Sequence, residues 1–185
     1  MSVADQPILR TLRLALRPFA AEDAPMVQRL AGAREIADTT LHIPHPYPDG
    51  AAEAWIASHR LAWESGNSAS FAITDAASGA LIGAVGLSIV AEHALAELGY
   101  WVAVPHWNRG YGTEAGRAVI ALAFGELGLH RVQARHFLRN RASGRVMEKL
   151  GMRREGIFRD GMRRWGRFED VEMRAILSSV AGAAE

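Results

Sequence analysis

The chain has 185 residues, of which 49% are hydrophobic and 22% charged, with a formal net charge of +1 and no cysteine. That is enough for one well-buried domain and too little for two, with the mix of an ordinary globular protein rather than a disordered or membrane-embedded one. Disulfides, a thiol nucleophile and thiolate metal ligands are excluded.

In chain order, "TLRLALRPF" alternates apolar and basic residues and predicts a half-buried strand. From Glu22 to about Ala31 the sequence opens on acids and sets Met26, Val27 and Leu30 at helical spacing. "TLHIPHPYPDG" carries three prolines in five residues and predicts an ordered loop. Asp49 then stands as the N-cap of a helix over "GAAEAWIASHRLAWESG", with Trp55, Ile56 and Leu61 inward and Gly66 ending it. The period falls to two in "SFAITDAASGALIGAVGLSIV", two strands around a turn, and in "LAELGYWVAV", a third. There follow a helix from about Gly110 to Leu127, a strand "HRVQARHF", a capped helix "NRASGRVMEKLG", strands around "EGIFRDG" and "RFEDVEMRAIL", and a frayed tail "SSVAGAAE". The order is mixed α/β of the α+β type, strands outnumbering helices. No apolar run approaches the roughly 18 residues of a membrane span. "MSVADQPILRTLRL" lacks the layout of a secretory leader, so residues 1–185 read as a single cytoplasmic domain.

Charge is unevenly placed: between His130 and Arg174 twelve arginines and one lysine stand against six acids, leaving the rest of the chain near −6. Such a surface favours an anionic partner, whether a nucleotide-bearing cofactor, an acidic protein or nucleic acid, or it is simply solvated arginine.

The most informative stretch is "PHWNRGYGTEAG", residues 105–116. Gly110 and Gly112 let the backbone crowd a ligand, and the first turn of the following helix has amides that only an external acceptor can satisfy. Phosphate suits that position. Read as Gly110-x-Gly112-x-x-Ala115 the spacing also matches a dinucleotide fingerprint, but the next strand ends "QARHFLRN", without the acid that would bind a ribose. No Gly-Lys-Ser/Thr follows either, so a phosphate-binding P-loop is excluded.

Residues 97–156, with the glycine turn, the Asn-x-x-Ser of "NRAS" and "EKLG", resemble the acetyl-CoA-binding core of the GNAT N-acetyltransferase superfamily in its RimJ/RimL-like branch. The flanking "RLALRPF", "HPYP" and "EDVEMRAIL" fit as well; Trp107 departs from the superfamily's usual Gln or Arg at the head of the glycine motif. The resemblance implies a central mixed, mostly antiparallel sheet of about seven strands flanked by about four helices, with splayed core strands holding acetyl-CoA. It implies a pantetheine arm bonded near Val102 and Val104 and to Asn140, and a pyrophosphate on Arg109, Gly110, Tyr111, Gly112 and Thr113. Glu114, in the helix's first turn, suits the dipole without touching substrate.

Amine acetylation needs a base for the amine and a proton for the departing thiolate. Glu97 stands 13 residues before Gly110, where polyamine-acetylating relatives carry a glutamate, and is the candidate base; a structural ion pair is the alternative. The thiolate acid in this superfamily is often a tyrosine early in the helix after the fifth core strand. The chain's tyrosines, Tyr47, Tyr100 and Tyr111, all lie outside that segment, which offers Asn140 and Ser143 instead. In close relatives the serine is assigned to meet the sulfur and the asparagine to bind the pantetheine, which the resemblance implies for Ser143 and Asn140; the alternative is that either caps the helix. His42 and His45 are three apart, but proline breaks their alignment and no third ligand is near, so no metal is expected. With Tyr47 and Trp55 they form the expected acceptor wall, or pack as an ordinary loop. The reading is an N-acetyltransferase moving acetyl from acetyl-CoA to a primary amine of a small molecule or protein N-terminus, as monomer or homodimer, without membrane partner. The alternative is a non-catalytic RNA- or ribosome-binding module using the arginines, with Phe137, Phe158, Trp165 and Phe168 as its stacking residues.

Overall fold

The computed structural model of the chain describes residues 5–181. Its elements are β1 (Leu9–Arg10), β2 (Leu14–Arg17), α1 (Ala24–Ala31), α2 (Arg34–Thr39), α3 (Ala51–Glu64), β3 (Ser68–Asp75), β4 (Leu81–Val90), β5 (Leu95–Val102), α4 (Tyr111–Phe124), β6 (Arg131–Phe137), α5 (Arg141–Lys149), β7 (Arg153–Arg164), β8 (Arg167–Leu177) and α6 (Ser178–Ala181). The strands form one sheet in the order β1-β2-β3-β4-β5-β6-β8-β7. Only β5 and β6 run parallel.

The alternation along each strand sorts side chains into two cores. Leu14, Leu16, Phe71, Ile73, Val85 and Leu98 pack with Val119 of α4 and Met147 of α5. Ala72, Ala84 and Trp101 point the other way, against Val27, Ile36 and Ile56 of α1, α2 and α3. The sheet is therefore covered on both faces. Along β5 this puts Leu98, Tyr100 and Val102 on the α4–α5 side and Trp101 on the other.

The parallel pair holds the feature that organises the site. β5 and β6 are matched only from Leu95–Arg131 to Glu97–Gln133, and beyond Glu97 the two strands part. This is the splay the sequence led us to expect.

Local expectations are corrected at several points. The first strand is a hairpin, because Thr11 closes a turn onto Leu14 and leaves Leu9–Arg10 to pair with β2, so the sheet has eight strands rather than about seven. α2 (Arg34–Thr39) occupies a stretch in which the sequence pattern predicts no element. α3 is entered through Gly50 in the left-handed region (φ 75°) with no side-chain cap, so Asp49 does not cap it. Leu61 is 71% exposed, and the buried face of α3 carries Ala52, Ile56 and His59. Ser178–Ala181 of the expected frayed tail form α6, and residues 182–185 lie outside the described part. Among the described residues no helix is long and apolar enough to cross a membrane.

His59 is the price of that buried face. Its ring lies 4.4 Å from that of Trp55 and 5.3 Å from that of Phe19, and among the described residues neither ring nitrogen has a hydrogen-bond partner. Burial pushes its pKa down from 6.5 to about 4. The folded state therefore binds a proton less readily than the unfolded state, so stability is full above about 6.5 and declines as the pH falls toward about 4. His59→Leu should flatten that decline. Urea midpoints of both proteins at pH 7 and pH 5 test it, and a gap that is the same at both values would clear His59.

Candidate active site

Two cavities open along the parted strands. One, of about 290 Å³, is bordered by Val102, Trp107, Gly110, Tyr111, Gly112 and Thr113 and, across the gap, by Asn140, Arg145 and Lys149 of the α5 segment. The other, of about 280 Å³, is bordered by Leu41, His42, Ile43, Trp55, Glu97, Arg135, His136 and Met147, with strand residues of β3 and β4. We call them the α4 and β5 cavities. Thr39, Thr40, Tyr100, Trp101 and Ser143 line both, so the two spaces meet at these side chains.

At the head of α4, Gly110 takes φ 81°, and the first helical hydrogen bond runs from Glu114 N to Gly110 O at 3.0 Å. The amides of Tyr111, Gly112 and Thr113 therefore have no partner within the helix. At Gly112 a Cβ would sit in ordinary contact, 3.5 Å from the Tyr100 ring and 3.8 Å from Val102 Cγ2, so a side chain larger than alanine would press on the ring and the cavity. Arg145 and Lys149, one helical turn apart, add positive charge to the same space. These features fit a phosphate-bearing ligand. Two expected contacts fall outside. Val104 starts a short helical turn that packs toward α1–α3, and Arg109 uses its carbonyl to accept from Arg13 Nη1 at 3.0 Å; neither lines the cavity. The carbonyl of Val102 is also engaged, by the indole N–H of Trp107.

Glu114 does more than suit the helix dipole. It accepts from Thr11 Oγ1 at 2.6 Å and Arg13 N at 2.9 Å and pairs with Arg13 Nη2 at 2.6 Å, tying the β1–β2 turn to α4. Burial opposes its charge, but these hydrogen bonds outweigh it and hold the carboxyl below the usual range.

At α5 the capping reading of Asn140 is what the structure has: its Oδ1 accepts from Ser143 N at 3.1 Å, while its Nδ2 donates to Thr39 O at 3.0 Å. The Ser143 hydroxyl is left for another partner, Tyr100, whose phenolic oxygen lies 2.7 Å from Ser143 Oγ. Burial pushes the Tyr100 hydroxyl up to about 12, the hydrogen bond from Ser143 offsetting only part of the effect. Sequence reasoning missed Tyr100 by looking for a tyrosine only on the helix; the signal was its place between Leu98 and Val102 on one face of β5.

Glu97 sits at the last matched pair before the splay, and its Oε1 is 2.9 Å from Arg135 Nη2, so the ion-pair alternative is also real. Of the expected acceptor wall, His42 and Trp55 line the β5 cavity and His45 and Tyr47 do not. After Ile43 the proline-rich chain returns to α1, where His45 Nδ1 lies 3.2 Å from Gly32 O and the Tyr47 carbonyl accepts from Gln28 Nε2 at 3.1 Å.

The arginines have local work. Arg164 donates to the carbonyls of Ala37 and Ile43, and Arg139 bridges Asp38 and Glu169 at 3.1 Å each. With Asn140 on Thr39, they hold the segment from Ala37 to Ile43 that walls both cavities. Arg131, Arg154 and Arg174 pair with Glu155, Glu172 and Glu148. Phe137 is buried, so of the expected stacking residues Phe158, Trp165 and Phe168 are exposed, the last two under the guanidinium groups of Arg164 and Arg163. Among the described residues five of the twelve arginines between His130 and Arg174, namely Arg131, Arg135, Arg139, Arg154 and Arg174, are ion-paired with carboxylates.

The comparisons with known proteins agree with this geometry. A probable N-acetyltransferase, YjcK of Bacillus subtilis, is 42% identical over 110 residues, 58% of this chain and 61% of that relative, so the match spans about three fifths of the relative's length. The fold matches RimJ of Mycobacterium smegmatis, solved with a CoA disulfide, at a TM-score of 0.86 with 22% identity over 97% of this chain and 91% of that one. It matches spermidine N-acetyltransferase of Vibrio cholerae, solved with CoA and spermine, at 0.79 with 24% identity over 91% and 98%. The model of the acetyltransferase (GNAT) domain covers residues 13–153, more than half of the sequence and every element of the glycine turn, the splay and α5, and the chain belongs to that family.

Proposed function

We propose that the protein transfers an acetyl group from acetyl-CoA to a primary amine, directly, with both substrates bound. The observation that carries this reading is the meeting of two cavities of different character at the Tyr100–Ser143 hydroxyl pair. When bound, acetyl-CoA supplies an activated acyl group and a thiolate leaving group. The amides of Tyr111, Gly112 and Thr113 hold its pyrophosphate, Arg145 and Lys149 add attraction for its phosphates, and Gly112 leaves the room. Glu97 takes a proton from the acceptor's ammonium, directly or through one water. The Tyr100 hydroxyl, pushed up to about 12, stays protonated at neutral pH and, through Ser143, gives a proton to the departing sulfur. The second proton lost by nitrogen replaces it. Proteins of the same fold solved with CoA support the cofactor, and they include one named as a ribosomal L7/L12 protein acetyltransferase and one named as a spermidine N-acetyltransferase, so protein N-termini, amino acids, polyamines and other small amines all fall within this reading.

Acetyl-CoA at 100 times its Kd should stabilise the fold by about 2.7 kcal/mol, or roughly 5–10 °C in melting temperature. NADPH should not. Flat melting curves and a flat binding titration with acetyl-CoA would overturn the assignment, and thiol release with an acceptor panel measures the transfer itself.

A further inference from the structure

The β5 cavity carries its charge as a pair. Arg135 directs both Nε and Nη2 at Glu97 Oε1, each at 2.9 Å, and among the described residues neither side chain has another ion pair. Both remain about one third exposed, 31% for Arg135 and 27% for Glu97, and both border the cavity. Around them the wall is largely apolar: Leu41, Ile43, Trp55, Leu87 and Met147. Among the described residues Arg135 Nη1 makes no hydrogen bond, so half of the planar fork that suits a carboxylate is unused.

An ion pair on a wall is a template for the opposite pair. A polycation finds there one carboxylate whose charge is already matched. An amine at the start of a polypeptide brings a cation and no anion, so seating it on Glu97 strands Arg135. A free α-amino acid carries ammonium and carboxylate on one carbon and completes both partners at once. We propose, resting on the acetyltransferase reading above, that the acceptor is a small zwitterion, a free α-amino acid with an apolar side chain, its ammonium on Glu97 and its carboxylate on Arg135.

The same contact prepares the base. In the structure Arg135 engages a Glu97 oxygen; the incoming carboxylate draws the guanidinium to itself and leaves that oxygen for the ammonium. One proton passes from nitrogen to Glu97, the freed electron pair forms the C–N bond, and the C–S bond breaks with its pair on sulfur. Sulfur takes a proton from the Tyr100–Ser143 pair, the second nitrogen proton restores that pair, and Glu97 returns its proton to water. The product keeps its carboxylate but has no ammonium, so it faces Glu97 as a like charge and leaves.

The experiment is thiol release at saturating acetyl-CoA with leucine, leucinamide, an amidated leucine-initiated peptide and spermidine. Leucine should exceed leucinamide in kcat/KM by at least about tenfold, the scale of one hydrogen-bonded charge contact. In Arg135→Met that preference should collapse toward unity through KM, with Arg135→Lys intermediate. Leucinamide, the peptide or spermidine matching leucine on wild-type protein would overturn the proposal, and this comparison stands however the variants fold. Binding of acetyl-CoA without turnover of leucine would sink the zwitterion alone. Absence of acetyl-CoA binding would sink the underlying reading instead.

Discussion

Glu97→Gln should lower turnover by roughly 100-fold or more, the usual scale for a positioned general base, while acetyl-CoA affinity should barely change. The amide keeps the shape of the side chain and loses the proton acceptor. Because the Glu97–Arg135 pair is 27% and 31% exposed, its loss costs stability only at the level of a surface pair, about 0–1 kcal/mol. A 100-fold loss corresponds to about 2.7 kcal/mol, too large to be that stability change in disguise. Acceptor amines of low pKa, which arrive neutral, should be affected least. Turnover and urea stability measured on one preparation decide the matter: a stable Glu97→Gln protein with wild-type turnover ends the base assignment, leaving His42 and His136 as the imidazole bases that line that cavity.

Gly112→Val should weaken acetyl-CoA binding by about 10- to 100-fold, the equivalent of 1–3 kcal/mol of overpacking. A Cβ alone, 3.5 Å from the Tyr100 ring, is an ordinary contact, so Gly112→Ala should be mild; the two methyls of valine reach into the ring and the cavity. Ser143→Ala provides the contrast. It removes the partner of the Tyr100 hydroxyl without filling space, so acetyl-CoA should bind and turnover should fall. Isothermal titration with acetyl-CoA on the three variants separates them, and Gly112→Val binding as tightly as wild type would remove the glycine turn from the ligand's path.

What was legible in the sequence is what is local. The left-handed Gly110, the cap of Asn140 on Ser143 and the alternation of β3 to β5 depend on neighbours within a turn or a strand. α2 was not legible because its six residues carry no side-chain cap and an apolar pattern too short to read. Asp49 misled because a left-handed Gly50 already turns the chain into α3. Tyr100 and Ser143 are 43 residues apart, and Arg164 reaches carbonyls 127 and 121 residues away, partners that only the sheet order brings together. His45 and Tyr47 looked like acceptor residues because they share a loop with His42, and a loop gives no period from which to tell which side chains turn inward.

The wall from Ala37 to Ile43 hangs on Arg164, on the β7–β8 hairpin, whereas the stretch by which the family is recognised ends at residue 153. Part of the support of that wall thus lies outside the matched stretch, while Arg139 and Asn140, which hold Asp38 and Thr39, lie inside it. On the proposed reading, substitutions in the hairpin that remove Arg164 should shift this wall, and with it both cavities, without changing a lining residue.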